Sequence, residues 1–207
     1  MRRVVQQMRL SSQVLLTSCM LLVFGMMAHA GAGWGVASKM RLPVVEVRRS
    51  HPPYAAFCKR NPGQCDMTGK AVIQLNRKLK HSISEVNAAV NKAVRCLLAD
   101  KLLHGEEEYW AYPVAGRGDC EDIALEKRRR LAALGLPRAS MTIAIVQIRK
   151  TMASHAVLLI ETTTGTWVLD NLTNKISAWS EVPYNYEARE RVDGTWERYD
   201  QTLWVYD

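Results

Sequence analysis

Beyond its first thirty residues the 207-residue chain has no apolar stretch long enough to span a bilayer. That excludes a protein that threads a membrane several times by helices. Internal repeats and low-complexity tracts are also missing, so neither a solenoid nor a disordered linker is a useful reading. Acidic residues are outnumbered, 20 against 28 Lys and Arg, yet the basic residues are dispersed. Arg128-Arg129-Arg130 is their densest run. No aromatic-interleaved basic patch accompanies it, and nucleic acid is not an expected partner.

The first thirty residues read as a targeting segment. Arg2, Arg3 and Arg9 precede an apolar run from Val14 to Met27, and Ala28-His29-Ala30 has the small-x-small pattern of a cleavage site. Residues 1–30 are therefore expected to be a cleaved signal peptide, with an uncleaved anchor or a buried N-terminal helix as the alternative. Residues 31–207 then form a single domain, periplasmic or secreted, with 31–69 an extended lead-in rich in Gly, Pro and short polar turns. Signal removal takes three of the 28 basic residues and none of the acidic ones, leaving a modestly basic surface.

Cysteine is scarce, five in all, and Cys19 lies in the expected signal. The other four, Cys58, Cys65, Cys96 and Cys120, could make two disulfides in an oxidising compartment. Cys58 and Cys65 bracket Asn61-Pro62-Gly63 and are the favoured pair. Cys96 reads as a small buried hydrophobe on a helical face beside Leu97 and Leu98, which leaves Cys120 free.

Periodicity places the remaining elements. Val44 to Val47 is a brief strand. A helix is expected from Thr68 or Lys70 to about Leu79. Another runs from Ser84, where Ile83, Val86, Val90, Val94 and Leu97 recur at spacings of three and four. His104 to Gly118 is a loop. A further helix starts abruptly after Gly118, with Asp119 as N-cap and Asp122 at N3 approximating a capping box, and stops at Gly135-Leu136-Pro137. The period then becomes strand-like over Met141 to Ile148, His155 to Glu161 and Thr166 to Leu169, with Thr164-Gly165 as the tight turn. The aromatic-rich remainder closes or crosses the sheet.

Cys120 falls at N1 of the helix that follows Gly118. Unpaired N–H groups and the helix dipole favour negative charge there and lower a thiol's pKa. His155 opens an apolar strand, and Asp170 ends the next one after Trp167-Val168-Leu169. Taken alone, His155 is more simply a satisfied strand-end histidine. If the two strands form a hairpin, however, His155 and Asp170 become neighbours, and a docked helix N-terminus completes the Cys-His-Asp constellation that acyl transfer needs. The Cys120 backbone N–H would meet the oxyanion. The Trp110 indole is a candidate second donor with a packing role as its alternative, and Asn171 is a candidate to hold Asp170 or the turn after it.

The same segments resemble the bacterial transglutaminase-like cysteine proteinases, the LapG-like family. The match lies in Gly118-Asp119-Cys120-Glu121-Asp122-Ile123-Ala124, Lys127 and Leu134-Gly135. Tyr109-Trp110-Ala111-Tyr112-Pro113 supports it upstream, and His155-Ala156-Val157-Leu158 with Leu169-Asp170-Asn171-Leu172 downstream. The resemblance spans roughly residues 50 to 205. It implies an α+β fold, a papain-like or transglutaminase-like core with N-terminal helices packed on an antiparallel sheet, and a triad of Cys120, His155 and Asp170. It also implies a calcium ion held by Asp119 and Glu121, with Asp122 as an additional ligand; the residue-level alternative assigns these acids to helix capping. No organic cofactor is expected.

The activity the resemblance implies is that of a periplasmic cysteine endopeptidase acting on a cell-surface or adhesin-type protein, with an inner-membrane regulatory receptor as a partner. Ala156, where methionine is common in the family, and Val114-Ala115, where an acid often follows the proline, depart from the pattern and bear on substrate choice. A transglutaminase-like amide acyltransferase and a noncatalytic envelope-binding protein are the alternatives.

Overall fold

The computed structural model describes residues 34–35, 37–97 and 100–207. The expected signal peptide, residues 1–30, lies outside them. Ala32–Asp207 forms one compact unit, and none of the helices among the described residues is long and apolar enough to cross a membrane.

In chain order the elements are β1 (Val44–Arg48), α1 (Pro52–Arg60), α2 (Arg77–Ala93), β2 (Arg95–Cys96), α3 (Asp100–His104), β3 (Arg117–Gly118) and α4 (Cys120–Ala133). After these come β4 (Met141–Ile148), β5 (Ser154–Thr162), β6 (Gly165–Leu169), β7 (Ser177–Ala178), β8 (Tyr184–Glu190) and β9 (Trp196–Tyr199). Seven strands form one antiparallel sheet in the order β1-β9-β8-β4-β5-β6-β7, and β2 and β3 form a separate parallel pair. After the edge strand β1 the helices precede the rest of this sheet and pack on it, the α+β arrangement expected.

The central strands read as continuous apolar runs because both their faces are covered. Ile143, Leu158, Ile160, Trp167 and Leu169 join Leu125 and Leu131 of α4 in one core. Ala144, Val146, Val157, Leu159 and Val168, alternating with them along the strands, join Met40, Tyr184, Tyr186 and Tyr199 in a second. α4 lies across β5 and β4, and α2 packs on α4. Gly165, at φ 125°, makes the β5–β6 turn, where a Cβ would stand 2.4 Å from Ala37 O. That close approach lets the lead-in hydrogen-bond to the turn, Ala37 N to Thr164 O at 2.8 Å.

Four expectations about the N-terminal half are corrected. Within the supposedly extended lead-in, Pro52–Arg60 is helical: prolines at the first positions cost no backbone donor, and Tyr54 and Phe57 are buried. The segment from Thr68 is not helical. Ile73 instead bonds to the end of β5, donating to Glu161 O at 3.1 Å and accepting from Thr163 N at 2.9 Å. α2 starts at Arg77, with Asn76 Oδ1 accepting from Leu79 N at 2.8 Å, and runs through Ser84 without a break. It also stops at Ala93, because Arg95 N and Leu97 N find acceptors in Gly116 O and Gly118 O, 2.8 and 3.0 Å away. Cys96 is consequently an exposed residue of β2, not a buried helical one. The Cys58–Cys65 disulfide is formed, and Cys120 is free.

Candidate active site

Cys120 is the first residue of α4. The turn before it is held by the parallel pairing of Cys96 with Gly118. A Cβ on Gly118 would stand 2.9 Å from both Cβ and Oδ2 of Asp122, so glycine is required for the first turn of α4 to fold back over the strand. The thiol lies in a cleft of about 400 Å³ whose walls include His51, Asp100, Trp110, Glu121, His155 and Glu187.

On the facing wall, β5 and β6 form the expected antiparallel hairpin, with Leu158 opposite Leu169. His155 Nε2 and Asp170 Oδ1 are 2.9 Å apart, with both residues buried. Asp170 Oδ1 also accepts from Leu172 N at 3.0 Å, and Oδ2 accepts from the Tyr184 hydroxyl. Burial works against the Asp170 charge, but the bonds from His155, Leu172 and Tyr184 hold its carboxyl below the usual range. Ser154, His155 and Ala156, at the start of β5, line the same cleft as Cys120. Helix start and strand start therefore meet at the thiol.

The electrostatics around Cys120 differ from the expectation of a lowered thiol pKa. Burial first, and the Glu121 carboxylate second, push the thiol up. Cys120 Sγ donates to Glu121 Oε2 at 3.2 Å. The helix dipole acts in the other direction, but its fraction of a charge is weaker than desolvation plus an adjacent carboxylate.

Asp119 makes no side-chain cap on α4, and its Oδ1 is buried without a partner. Ligand oxygens of Asp100, Asp119 and Glu121 lie within 4.8 Å of one another. Asp122 falls in a second such group, with Asp100 and His104, and its Oδ1 accepts from Ala111 N at 2.7 Å. Burial raises Asp119 to about 8, helped by Glu121 and Asp100; it raises Glu121 to about 7, and Asp122 to about 8 with help from Asp119. Crowded carboxyls with an orphaned oxygen are the donor set a hard cation takes, so these residues fit calcium. Asp100 was not legible from sequence, since it sits beyond the end of α2 with no local pattern tying it to Asp119.

Of the other candidates, Trp110 is buried in an aromatic cluster with His51, Tyr54 and Trp196. Asp170 is held through its carbonyl by Asn91 Nδ2 at 2.9 Å, while Asn171 Oδ1 has no partner. Lys127 is fully buried on α4; burial draws its ammonium down to about 7, against the pull of Asp170.

Three solved structures of LapG from Legionella pneumophila are similar to the chain, each with a TM-score of 0.49. The calcium-bound form is 26% identical, over 61% of this chain and 75% of that one. A second is 27% identical over 57% and 68%, and the EGTA-treated form 25% over 60% and 74%. No curated protein matches. Residues 46–203 match the family described as bacterial transglutaminase-like cysteine proteinase. Since that match takes in most of the chain, from the edge strand to the last turn, the protein belongs to the bacterial transglutaminase-like cysteine proteinases.

Proposed function

We propose that this chain is an endopeptidase of the cell envelope in which Cys120 is the nucleophile, His155 the acid–base group and Asp170 its orienting partner. The observation that carries this reading is the 2.9 Å contact of His155 Nε2 with Asp170 Oδ1 on a strand whose first residues line the same cleft as Cys120. With Nε2–H donated to the carboxylate, Nδ1 is the ring nitrogen left for the thiol.

His155 takes the thiol proton as sulfur attacks the peptide carbonyl, and the C=O electron pair moves onto oxygen. The Cys120 backbone N–H, without an intrahelical acceptor at N1, is the donor proposed for that oxyanion. The pair returns, the C–N bond breaks, and the leaving amine carries off the proton held by His155. Water then attacks the thioester while His155 removes its proton, releasing the acid and restoring the thiol. Asp170 keeps the imidazole in one tautomer throughout.

Asp100, Asp119 and Glu121 would hold calcium, with Asp122 in the adjoining group that shares Asp100. When bound, the ion supplies positive charge beside the thiol and offsets the carboxylates that retain its proton. The substrate is a cell-surface or adhesin-type protein and the regulator a receptor at the inner membrane, both carried from the family resemblance, as is the periplasmic location.

The test is to incubate the protein with envelope proteins, map new N-termini and weigh the enzyme. Cleavage with a thioester adduct on Cys120, both lost in Cys120→Ala, is expected; cleavage that survives Cys120→Ala overturns the proposal. Labelled primary amine separates the transferase reading, which requires amide product in place of free acid.

A further inference from the structure

Asp170 receives a hydrogen bond from outside its own hairpin. Tyr184, in β8, donates its hydroxyl to Asp170 Oδ2. Its ring meets the His155 imidazole edge-on, with centroids 5.6 Å apart and planes at 62°. We propose that Tyr184 is a positioning residue for this site, fixing the Asp170 carboxylate so that Oδ1 faces His155 and bracing the imidazole from the side. The proposal rests on the reading of Cys120, His155 and Asp170 given above.

A carboxylate turns readily about its terminal torsion and can offer either oxygen. Here Oδ1 accepts from His155 Nε2 and Leu172 N at 2.9 and 3.0 Å, while Oδ2 is engaged by Tyr184. Asp170 is 3% exposed, so removing the phenol hydroxyl leaves Oδ2 as a buried acceptor without its partner and frees the group to twist. Such a twist lengthens the His155 bond and weakens the tautomer preference. The phenol also shares the carboxylate charge, and without it that charge presses fully on the imidazole. The Asp170 charge is felt in turn by Lys127 of α4, Cys96 of β2 and Tyr186 of β8, none of whose side chains bonds to its carboxylate.

A buried tyrosine hydroxyl seeks a partner for purely structural reasons as well. Tyr186 provides the comparison: it is two residues along the same strand, equally buried, and its hydroxyl donates to Trp179 O at 3.1 Å.

The test uses p-nitrophenyl acetate, an activated ester that acylates a nucleophilic thiol without requiring peptide specificity. In Tyr184→Phe, deacylation kcat falls on the order of fivefold with KM changed by less than about twofold. The pH of half-maximal deacylation moves up by about half a pH unit, and the thermal midpoint stays within about 3 °C of the parent. Tyr186→Phe leaves kcat and the pH profile unchanged. A Tyr184→Phe enzyme with parental kcat and pH profile overturns the proposal, as does a kcat loss shared with Tyr186→Phe and accompanied by no pH movement. If Cys120→Ala turns the ester over as fast as the parent, the reading of Cys120 fails first and the Tyr184 proposal falls with it.

Discussion

The Cys120 thiol donates to Glu121 Oε2 at 3.2 Å, so adjacent residues of one helix turn are joined by the proton the nucleophile must lose. Position at a helix start favours the thiolate, while burial and Glu121 oppose it and win. Charge balance at the start of α4 thus governs whether the thiol is reactive.

Removing the Glu121 charge should release the thiol. In calcium-free protein at pH 7, Glu121→Gln is expected to raise the rate of Cys120 alkylation by iodoacetamide about 3- to 10-fold. Peptide mass spectrometry reads the modification at Cys120, with a free-thiol reference peptide added to the same sample as the internal standard. Adding calcium should accelerate the parent and affect Glu121→Gln much less. A parent rate indifferent to calcium, in protein shown to be metal-free beforehand, removes the cation from the proposal.

Asp170→Asn keeps the shape of the site but ends the preference for Nε2–H donation. Its turnover of p-nitrophenyl acetate is expected to fall by roughly 10³-fold or more, and His155→Ala should be at least as impaired. The measured ratio of acylation to deacylation shows which half-reaction suffers. An Asp170→Asn enzyme within about threefold of the parent would sink the assignment of Asp170.

Lys127 should make stability rise with pH in the alkaline range. Its ammonium titrates at 10.5 when free and at about 7 when folded, with burial as the main cause. Between those values the unfolded chain holds a proton the folded chain has lost, so alkali favours the fold; below about 7 both states are protonated and the full penalty remains. The effect is about 5 kcal/mol across the window. The raised acids Asp119, Glu121 and Asp122 act in the opposite sense, but below about pH 8. Urea unfolding at pH 8.5 and 10 stays above those acids, and comparison with Lys127→Met separates the lysine from the Cys120 thiol, whose raised pKa acts in the opposite sense there. Lys127→Met should flatten the slope and be more stable than the parent at pH 7, and an equal slope in both proteins counts against the account.

A buried ion pair ties α4 to β8. Arg128 Nη1 and Glu190 Oε2 are 2.6 Å apart with side chains 2% and 0% exposed, and the Tyr54 hydroxyl bonds to both. Arg128→Met, which strands the Glu190 charge, is expected to cost about 3–5 kcal/mol in urea unfolding. Adding Glu190→Gln should recover more than half. Loss of stability that is additive across the two substitutions would show that they do not act as a pair.

The parts of the site that could be read beforehand were those written in local pattern. The change of period after Met141 and the Thr164-Gly165 turn defined the hairpin, and the pairing of Leu158 with Leu169 follows from them. Gly118-Asp119 before a helical run placed Cys120 at N1. Pro52-Pro53 misled because proline ends one helix and starts another with equal ease. The apolar spacing through Leu97 misled because β3 captures the backbone of β2 before the helical period is exhausted.

Residue order alone determined that a thiol would open a helix and that a histidine and a carboxylate would border one hairpin. Such features depend on torsional preference and side-chain period, which act over a few residues. Only the tertiary structure decided that Asp100 joins Asp119 and Glu121, that Tyr184 reaches Asp170, and that the thiol is more hindered by burial and Glu121 than helped by its helix. These depend on which distant groups are pressed together when water is expelled, and on the dielectric they then share, neither of which is encoded at any single stretch of the chain.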